Sequence, residues 1–551
     1  MATNGTPQFQ PPGPGSWALD RSHYPGGTTP IAVWLMESSM EPGMRRVFAE
    51  LGTPADALRA RFVNGFMYTR LRPLLSPDKA ATKLPPVAVL RIAARVHPAF
   101  RKRARTARAV LNDRPWLAIV DRWHRELRPA IVAANQSFQS VEPAALDDTA
   151  LQSHVNALLD HCRDQLVTHF WLHGYDLGPL ANYLHSCQEW GIAPERALAA
   201  LEGASPSTSA PSRRLARLRA LVEDARCHPA SLDDVRAVSP EAAALLDEHL
   251  HHHGHHLVTR YDLDGLTLHE LPGTVLASIL DAREPREPDH AAVAADLRAS
   301  VPVERRADFD ELLADARCVM DLRDDNGPMT YEWPAGLLRR ALLASGTRLA
   351  ARGALTDPDH VFELTQVEAR QLFSSDLPSA GEAARRAGER AALAQLEPPP
   401  TLGPTEPSPP PTVLPEPLPR MVAMVQTALT QLGMVGDRNV DALVGAGVGT
   451  TTYTGRVRRA ATPEEAIDLM EPGDVLVVRA TSPAFNAVLA LAGAVITADG
   501  GPLSHAAVLA RELGIPAIVG ARGALDLVDG SIVEVDPMGG RVRVLSAPAA
   551  R

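Results

Sequence analysis

Thr497-Ala-Asp-Gly-Gly-Pro-Leu-Ser-His-Ala-Ala-Val-Leu-Ala-Arg-Glu-Leu-Gly-Ile-Pro-Ala-Ile-Val-Gly520 is the stretch from which the fold is read. The apolar run Ala494 to Thr497 predicts a buried strand, and Gly500-Gly501 a tight turn. Ala506 to Leu513 predicts a helix that Gly514 closes, with Pro516 beyond it. His505, the one reactive group of the stretch, therefore stands at a helix N-terminus. Unpaired N–H groups and partial positive charge gather there, so an anion is stabilised, and a phosphoryl group on imidazole is such an anion. The same positive end favours the neutral imidazole that a nucleophile requires. Gly500 and Gly501 let backbone approach a phosphate without a side chain in the way. A solvated or capping histidine is the alternative that the spacing alone leaves open.

Thr-x-x-Gly-Gly-x-x-Ser-His-Ala-Ala followed by Ala-Arg-Glu-Leu-Gly-Ile-Pro-Ala-x-Val-Gly resembles the swivelling phosphohistidine domain of the family that includes pyruvate phosphate dikinase, phosphoenolpyruvate synthase and rifampin phosphotransferase. The resemblance implies that His505 carries the phosphoryl group. It implies a phosphoryl pocket shaped by Thr497, Gly500, Gly501 and Ser504, with Arg511 and Glu512 following on the helix. Leu503 stands where plant dikinases carry a regulatory threonine, so control by phosphorylation at that position is not expected.

A chain of 551 residues is too long for one core and suggests two to four domains. Hydrophobic residues at 45% and charged residues at 22% fit an ordinary globular protein. A net charge of −10 argues against a dedicated nucleic-acid binder. The basic run Arg101 to Arg108 reads as a solvated helix face. Cys162, Cys187, Cys227 and Cys318 form no C-x-x-C pair and suit reduced thiols. No signal peptide or membrane-spanning run is apparent, and a cytoplasmic protein without membrane partners is expected.

Residues 1–16 have the composition of a disordered tail, and Trp17 to Asp20 is the first patterned element. From Thr29 to Leu396 helical periodicity dominates, as in Trp116 to Leu127, Thr149 to Leu172 and Leu337 to Ala351. Between Pro398 and Pro419, eleven of twenty-two residues are proline, which favours stiff extended chain. A swinging tether and a packed strap are both compatible with that composition. After a helix from Arg420 to Leu432, short strands at Gly445 to Arg459, Gly473 to Arg479, Ile532 to Val535 and Gly540 to Val544 frame the histidine stretch. Thr481-Ser-Pro483 leads into a helix between them. The expected fold is multidomain: a large mostly α-helical acceptor domain over 17–396, a Pro-rich linker over 397–419, and a small α/β swivelling domain over 420–551.

Within the helical part, Glu248-His-Leu-His-His-His-Gly-His-His256 stands out. His249/His253 and His252/His256 have the i, i+4 spacing of a metal-binding helix face. No third ligand is fixed by the sequence, and no metal is assigned to this chain. Gly254-His255, Asp262 and Glu270-Leu-Pro272 also resemble the Gly-His, Asp and Glu-x-Pro of the acceptor domain in rifampin phosphotransferases, with His256 where those proteins often carry arginine. By that resemblance His255 is the candidate base, and Asp262 or Glu270 orients it. Arg323, Arg339 and Arg340 are candidates to meet phosphoryl oxygens.

The dikinase relatives charge their histidine from an ATP-grasp domain or a phosphoenolpyruvate barrel, and neither is recognisable in the sequence. The expectation is a split enzyme in which a separate ATP-grasp subunit, holding ATP and Mg, loads His505. The histidine then serves a hydroxyl-bearing, aromatic acceptor, as in two-component phenol and alkylphenol phosphate synthases. A rifampin-type antibiotic phosphotransferase component and a non-catalytic phosphocarrier are the alternatives.

Overall fold

The computed structural model describes residues 7–546 apart from 22, 25, 82, 283, 285–289, 433–442, 450, 462 and 482–484. Ser482 and Pro483 of the expected turn fall outside the described residues, as do Met1 to Thr6 of the expected tail. The chain forms two compact units: Met1–Asp176 with Arg260–Gly265 and Asn326–Met424, and Leu177–Thr259 with Leu266–Asp325 and Val425–Arg551. The single helical domain expected over 17–396 is thus divided. The reason is apolar packing: Leu503 and Leu432, from the C-terminal part, share one core with Leu184, Leu198, Phe309 and Leu313.

The first unit is helical around a small antiparallel sheet. Its strands are β1 (Trp17–Asp20), β2 (Ala55–Val63), β3 (Phe66–Pro73) and β4 (Thr401–Leu402), in the order β2-β3-β1-β4. The β2–β3 hairpin corrects the helical expectation for this region. Ala55-Asp-Ala-Leu-Arg-Ala-Arg suits a helix by propensity, but Asn64 and Gly65 take φ of 53° and 77°, the left-handed pair that a two-residue hairpin turn demands. The Pro-rich stretch is a strap at its start. Leu402 pairs with Trp17, the Tyr68 hydroxyl donates to the Pro399 carbonyl at 2.9 Å, and Glu406 accepts from the buried Arg70 at 3.0 Å. Proline suits such an edge, where its missing N–H is not needed. Residues 7–16, expected to be disordered, are anchored to the same place: Phe9 packs on Phe66, and the Ser16 N–H donates to Glu406 at 3.0 Å.

The second unit joins a helical part to a seven-stranded sheet. The strands are β5 (Ala446–Val448), β6 (Tyr453–Arg459), β7 (Val475–Val478), β8 (Ala494–Thr497), β9 (Ala517–Val519), β10 (Ile532–Asp536) and β11 (Arg541–Ser546), ordered β11-β10-β6-β7-β8-β9-β5. β6 to β9 run parallel, with Val478 beside Thr497 and Ile496 beside Ile518, and antiparallel strands close both edges. Val475–Val478, Ala494–Thr497 and Ala517–Val519 are buried throughout, which is why they read as continuous apolar runs rather than alternating ones. The helix His505–Leu513 crosses from β8 to β9 and buries Ala506, Ala507 and Ala510 against one face. No helix among the described residues is long and apolar enough to cross a membrane.

Candidate functional site

The loop from β8 to the next helix lies at the carboxyl ends of the parallel strands, where open α/β sheets bind their ligands. Thr497 ends β8 fully buried, and its hydroxyl does two jobs. It donates to the Asp499 carbonyl at 2.8 Å and accepts the Gly520 N–H at 3.4 Å, tying the loop to the end of β9. Gly500 has φ +109°, and a Cβ there would stand 3.0 Å from the Ser504 side chain. A Cβ on Gly520 would stand 2.7 Å from the Gly500 carbonyl oxygen, so two glycines let these turns touch. Ser504 is the N-cap residue, and its N–H donates to the Gly501 carbonyl at 2.8 Å. Its hydroxyl is buried and has no hydrogen-bond partner among the described residues, at a helix start whose first N–H groups lack intrahelical partners. His505 is the first residue of that helix; its side chain lies outside the described residues, as does that of Glu512.

Two guanidinium groups flank the loop. Arg323, 11% exposed, donates to the Leu503 carbonyl at 2.7 Å and pairs with Asp324 at 2.8 Å. Arg511 donates to the Pro502 carbonyl at 3.2 Å and lies 4.0 Å from Glu202. Positive charge is thereby fixed on the two residues that precede Ser504 and His505. Sequence reading missed Gln431, whose carbonyl accepts the Leu503 N–H at 3.1 Å; the only signal was its place at the end of the preceding helix. Arg339 and Arg340 belong to the other unit. There Arg339 donates to the Leu263 carbonyl at 2.9 Å with Phe362 under its guanidinium, and Arg340 donates to Gln139 and pairs with Glu142.

Gly254-His255 follows the helix Pro240–His253. A Cβ on Gly254 would fall 2.3 Å from His269 Nε2, so glycine is what lets the His269 ring in. The His255 and His269 rings sit 4.6 Å apart. Glu270 closes a capping box with Thr267, accepting its N–H and its hydroxyl at 2.8 Å each. Asp262 lies in the other unit, accepting from the Thr29 N–H at 2.9 Å, the Thr29 hydroxyl, and the Leu263 N–H at 2.7 Å. Burial, with Asp264 nearby, pushes its carboxyl up to about 6. Within the histidine run His249 and His256 are buried, and His251 is exposed. Burial, with the Arg214 charge adding to it, pushes His249 down to about 4; burial and His255 push His256 down to about 3. Among the described residues no group of three His, Cys, Asp or Glu is placed to hold a metal ion.

Residues 470–540 match the family described as "PEP-utilising enzyme, mobile domain". The chain is similar to a rifampicin phosphotransferase of Streptomyces sviceus, at 28% identity over 57% of this chain and 36% of that protein. It is similar to a phosphoenolpyruvate synthase of Aeropyrum pernix at 50% identity, over 15% of this chain and 10% of the other. An uncharacterised protein of Mycobacterium tuberculosis is 36% identical over 38% of this chain and 22% of its own length. The chain therefore spans from about a tenth to about a third of these relatives.

Proposed function

Given a chain that resembles the PEP-utilising, dikinase-like phosphotransferases, we propose that it relays a phosphoryl group through His505 to the hydroxyl of a small aromatic acceptor. A separate ATP-grasp subunit holding ATP and Mg loads the histidine. The observation that carries this reading is the β8 loop. A histidine opens a nine-residue helix next to a buried Ser504 hydroxyl that has no partner among the described residues, with Arg323 and Arg511 bonded to the two preceding carbonyls. A phosphoryl group on His505 would find donors and positive charge already in place, so stabilising it needs little reorganisation. The imidazole phosphoramidate then has the transfer potential to phosphorylate a hydroxyl whose proton is removed.

The test is direct labelling. Incubation with ATP and Mg should leave the purified chain unphosphorylated, and addition of an ATP-grasp partner should produce an acid-labile phosphoryl group on the peptide containing His505. ATP-dependent labelling without the partner would refute the split arrangement, and labelling on another residue would refute the carrier role. The rifampicin phosphotransferase similarity over 57% of the chain favours a second reading, with an antibiotic hydroxyl as acceptor. Discharge of the loaded chain to rifampicin but not to phenol would select it.

A further inference from the structure

Lys79 to Arg108 is a stretch of thirty residues with nine Lys or Arg and no Asp or Glu, in a chain whose net charge is −10. It belongs to the first unit. Two helices, Val87–Val96 and Pro98–Asp113, joined by His97 alone, carry most of its charge. His97 caps the second of them, its Nδ1 accepting the Ala99 N–H at 3.2 Å. That helix buries Ala104, Ala107 and Val110 and leaves Arg101, Lys102, Arg105 and Arg108 in solvent.

The helix Val87–Val96 turns an apolar face outward, the reverse of the usual arrangement. Ala94 is its one buried residue, and it is held against Pro411–Val413 of the Pro-rich stretch, where Val413 is buried. Val89, Ile92 and Val96, spaced three and four apart, share the side away from Ala94 and are 52%, 64% and 64% exposed. Val87, at the helix start, is exposed as well, and so are Arg91 and Arg95, one turn apart beside the apolar stripe. Arg91, Arg95, Arg101, Lys102 and Arg105 have no ion-pair partner among the described residues. Elsewhere in the same unit guanidinium groups compete for carboxylates: Arg45, Arg59 and Arg72 all reach Glu41. An aliphatic stripe held in water and a block of like charges without counter-charges are both unfavourable in the isolated chain, and one partner that is apolar inside and anionic outside would relieve both.

We propose that this helix pair attaches the protein to the surface of an anionic lipid bilayer. Val89, Ile92 and Val96 enter the boundary between headgroups and acyl chains, Arg91 and Arg95 lie among the headgroup phosphates, and Lys79, Lys83 and the exposed cations of Pro98–Asp113 meet the negative surface potential. A planar sheet of anionic headgroups neutralises spread cations together, whereas a protein partner would have to place a carboxylate opposite each. Nucleic acid would match the charge and leave the aliphatic stripe in water. The expectation of no membrane partner rests on the lack of a spanning run, and surface attachment needs none. The proposal is independent of the carrier reading above.

Sedimentation of the full chain with vesicles tests it. Vesicles of phosphatidylcholine with about 30% phosphatidylglycerol should carry the protein down, and vesicles of phosphatidylcholine alone should not. Raising the salt from ~50 to ~300 mM should weaken binding about tenfold or more. Replacing two cations together, Arg91→Ala with Arg95→Ala, should weaken it about thirtyfold, at roughly fivefold for each charge lost from the surface. Ile92→Asp, which puts a charge on the inserting face, should weaken it at least about tenfold. Since these side chains are exposed, both variants should unfold in urea as the wild type does, which separates lost binding from lost fold. No sedimentation with the anionic vesicles overturns the proposal, as does equal sedimentation with both vesicle types or wild-type binding by either variant. Immobilised poly-glutamate serves as the competing probe. Retention on it that Ile92→Asp abolishes, with vesicles left bare, would overturn the proposal in favour of an acidic protein partner.

Discussion

The loop before His505 and the polar cluster of the first unit, which runs from Asp20 and His23 to Tyr261 and Glu332, are assembled in opposite ways. The first draws nearly all of its parts from the consecutive residues Thr497 to Gly520, so one strand, one turn and one helix start suffice to set it. The second gathers Asp20, His23, His169, His173, Tyr261 and Glu332 from across more than three hundred positions. Only tertiary packing brings them together. A phosphoryl carrier is the same chemical object whatever its acceptor, and a short rigid motif serves it.

His505→Ala tests the local half and carries the largest expected effect. Labelling by phosphoramidate or by a partner with ATP should vanish, as read by mass spectrometry under neutral conditions. Residual labelling at the wild-type level would mean that the motif's conspicuous residue is not the carrier.

What the sequence disclosed follows the same division. Strand β8, the Gly514 cap at φ 67° and the placement of His505 at a helix start were all legible, because strand burial and turn chemistry are local. The Asn64-Gly65 hairpin was equally local and equally marked, and was passed over because its flanking Ala, Leu and Arg also suit a helix. The strap at Thr401–Leu402 and the anchoring of residues 7–16 depend on Arg70 and Glu406, which lie 336 positions apart, so composition alone reads them as linker and tail. Arg339 and Arg340 looked like Arg323 in sequence; only the fold sends Arg323 to Leu503 and the other two to Leu263 and Gln139.

His255 sharpens the comparison, since a sequence motif nominates it while the structure shows it beside the His269 ring. In single-turnover discharge to phenol, His255→Ala should cost ~10²–10⁴ if the Gly254-His255 motif supplies the base. Unchanged discharge would assign the proton transfer to another residue, with Glu270 the next candidate.

Glu332 also predicts a stability signature that needs no acceptor. Its folded pKa is raised by burial from the ordinary 4.5 to about 8, so the native state holds a proton that the unfolded chain releases. The contribution is therefore fully present below pH ~4.5, declines by at most ~1.4 kcal/mol per pH unit, and is lost above pH ~8. Glu332→Gln removes that slope. Its stability relative to the wild type should rise by about 2–5 kcal/mol between pH 5 and pH 8, measured by urea unfolding at each pH. A difference that stays flat across this range would show that the carboxyl is solvated or paired in the folded protein.

The smallest effect returns to the local site and asks whether its short motif is as self-sufficient as it looks. Thr497→Val keeps the shape of a fully buried side chain and removes only the hydroxyl, which donates to Asp499 at 2.8 Å and accepts from Gly520 at 3.4 Å. Both bonds join loop to loop, so their loss should cost about 1–2 kcal/mol in thermal or urea unfolding. The Asp499 carbonyl and the Gly520 N–H would be left to find new partners. Because Gly500 passes 2.7 Å beneath a Cβ position on Gly520, even a small relaxation there moves the turn that leads to Ser504 and His505. Phosphoramidate loading should therefore slow together with the stability loss, by about threefold to tenfold for a loop displaced by a fraction of an ångström. Unchanged loading in a measurably destabilised variant would show that the helix start alone, with its N–H groups and the Ser504 hydroxyl, positions the phosphoryl group without help from the β9 turn.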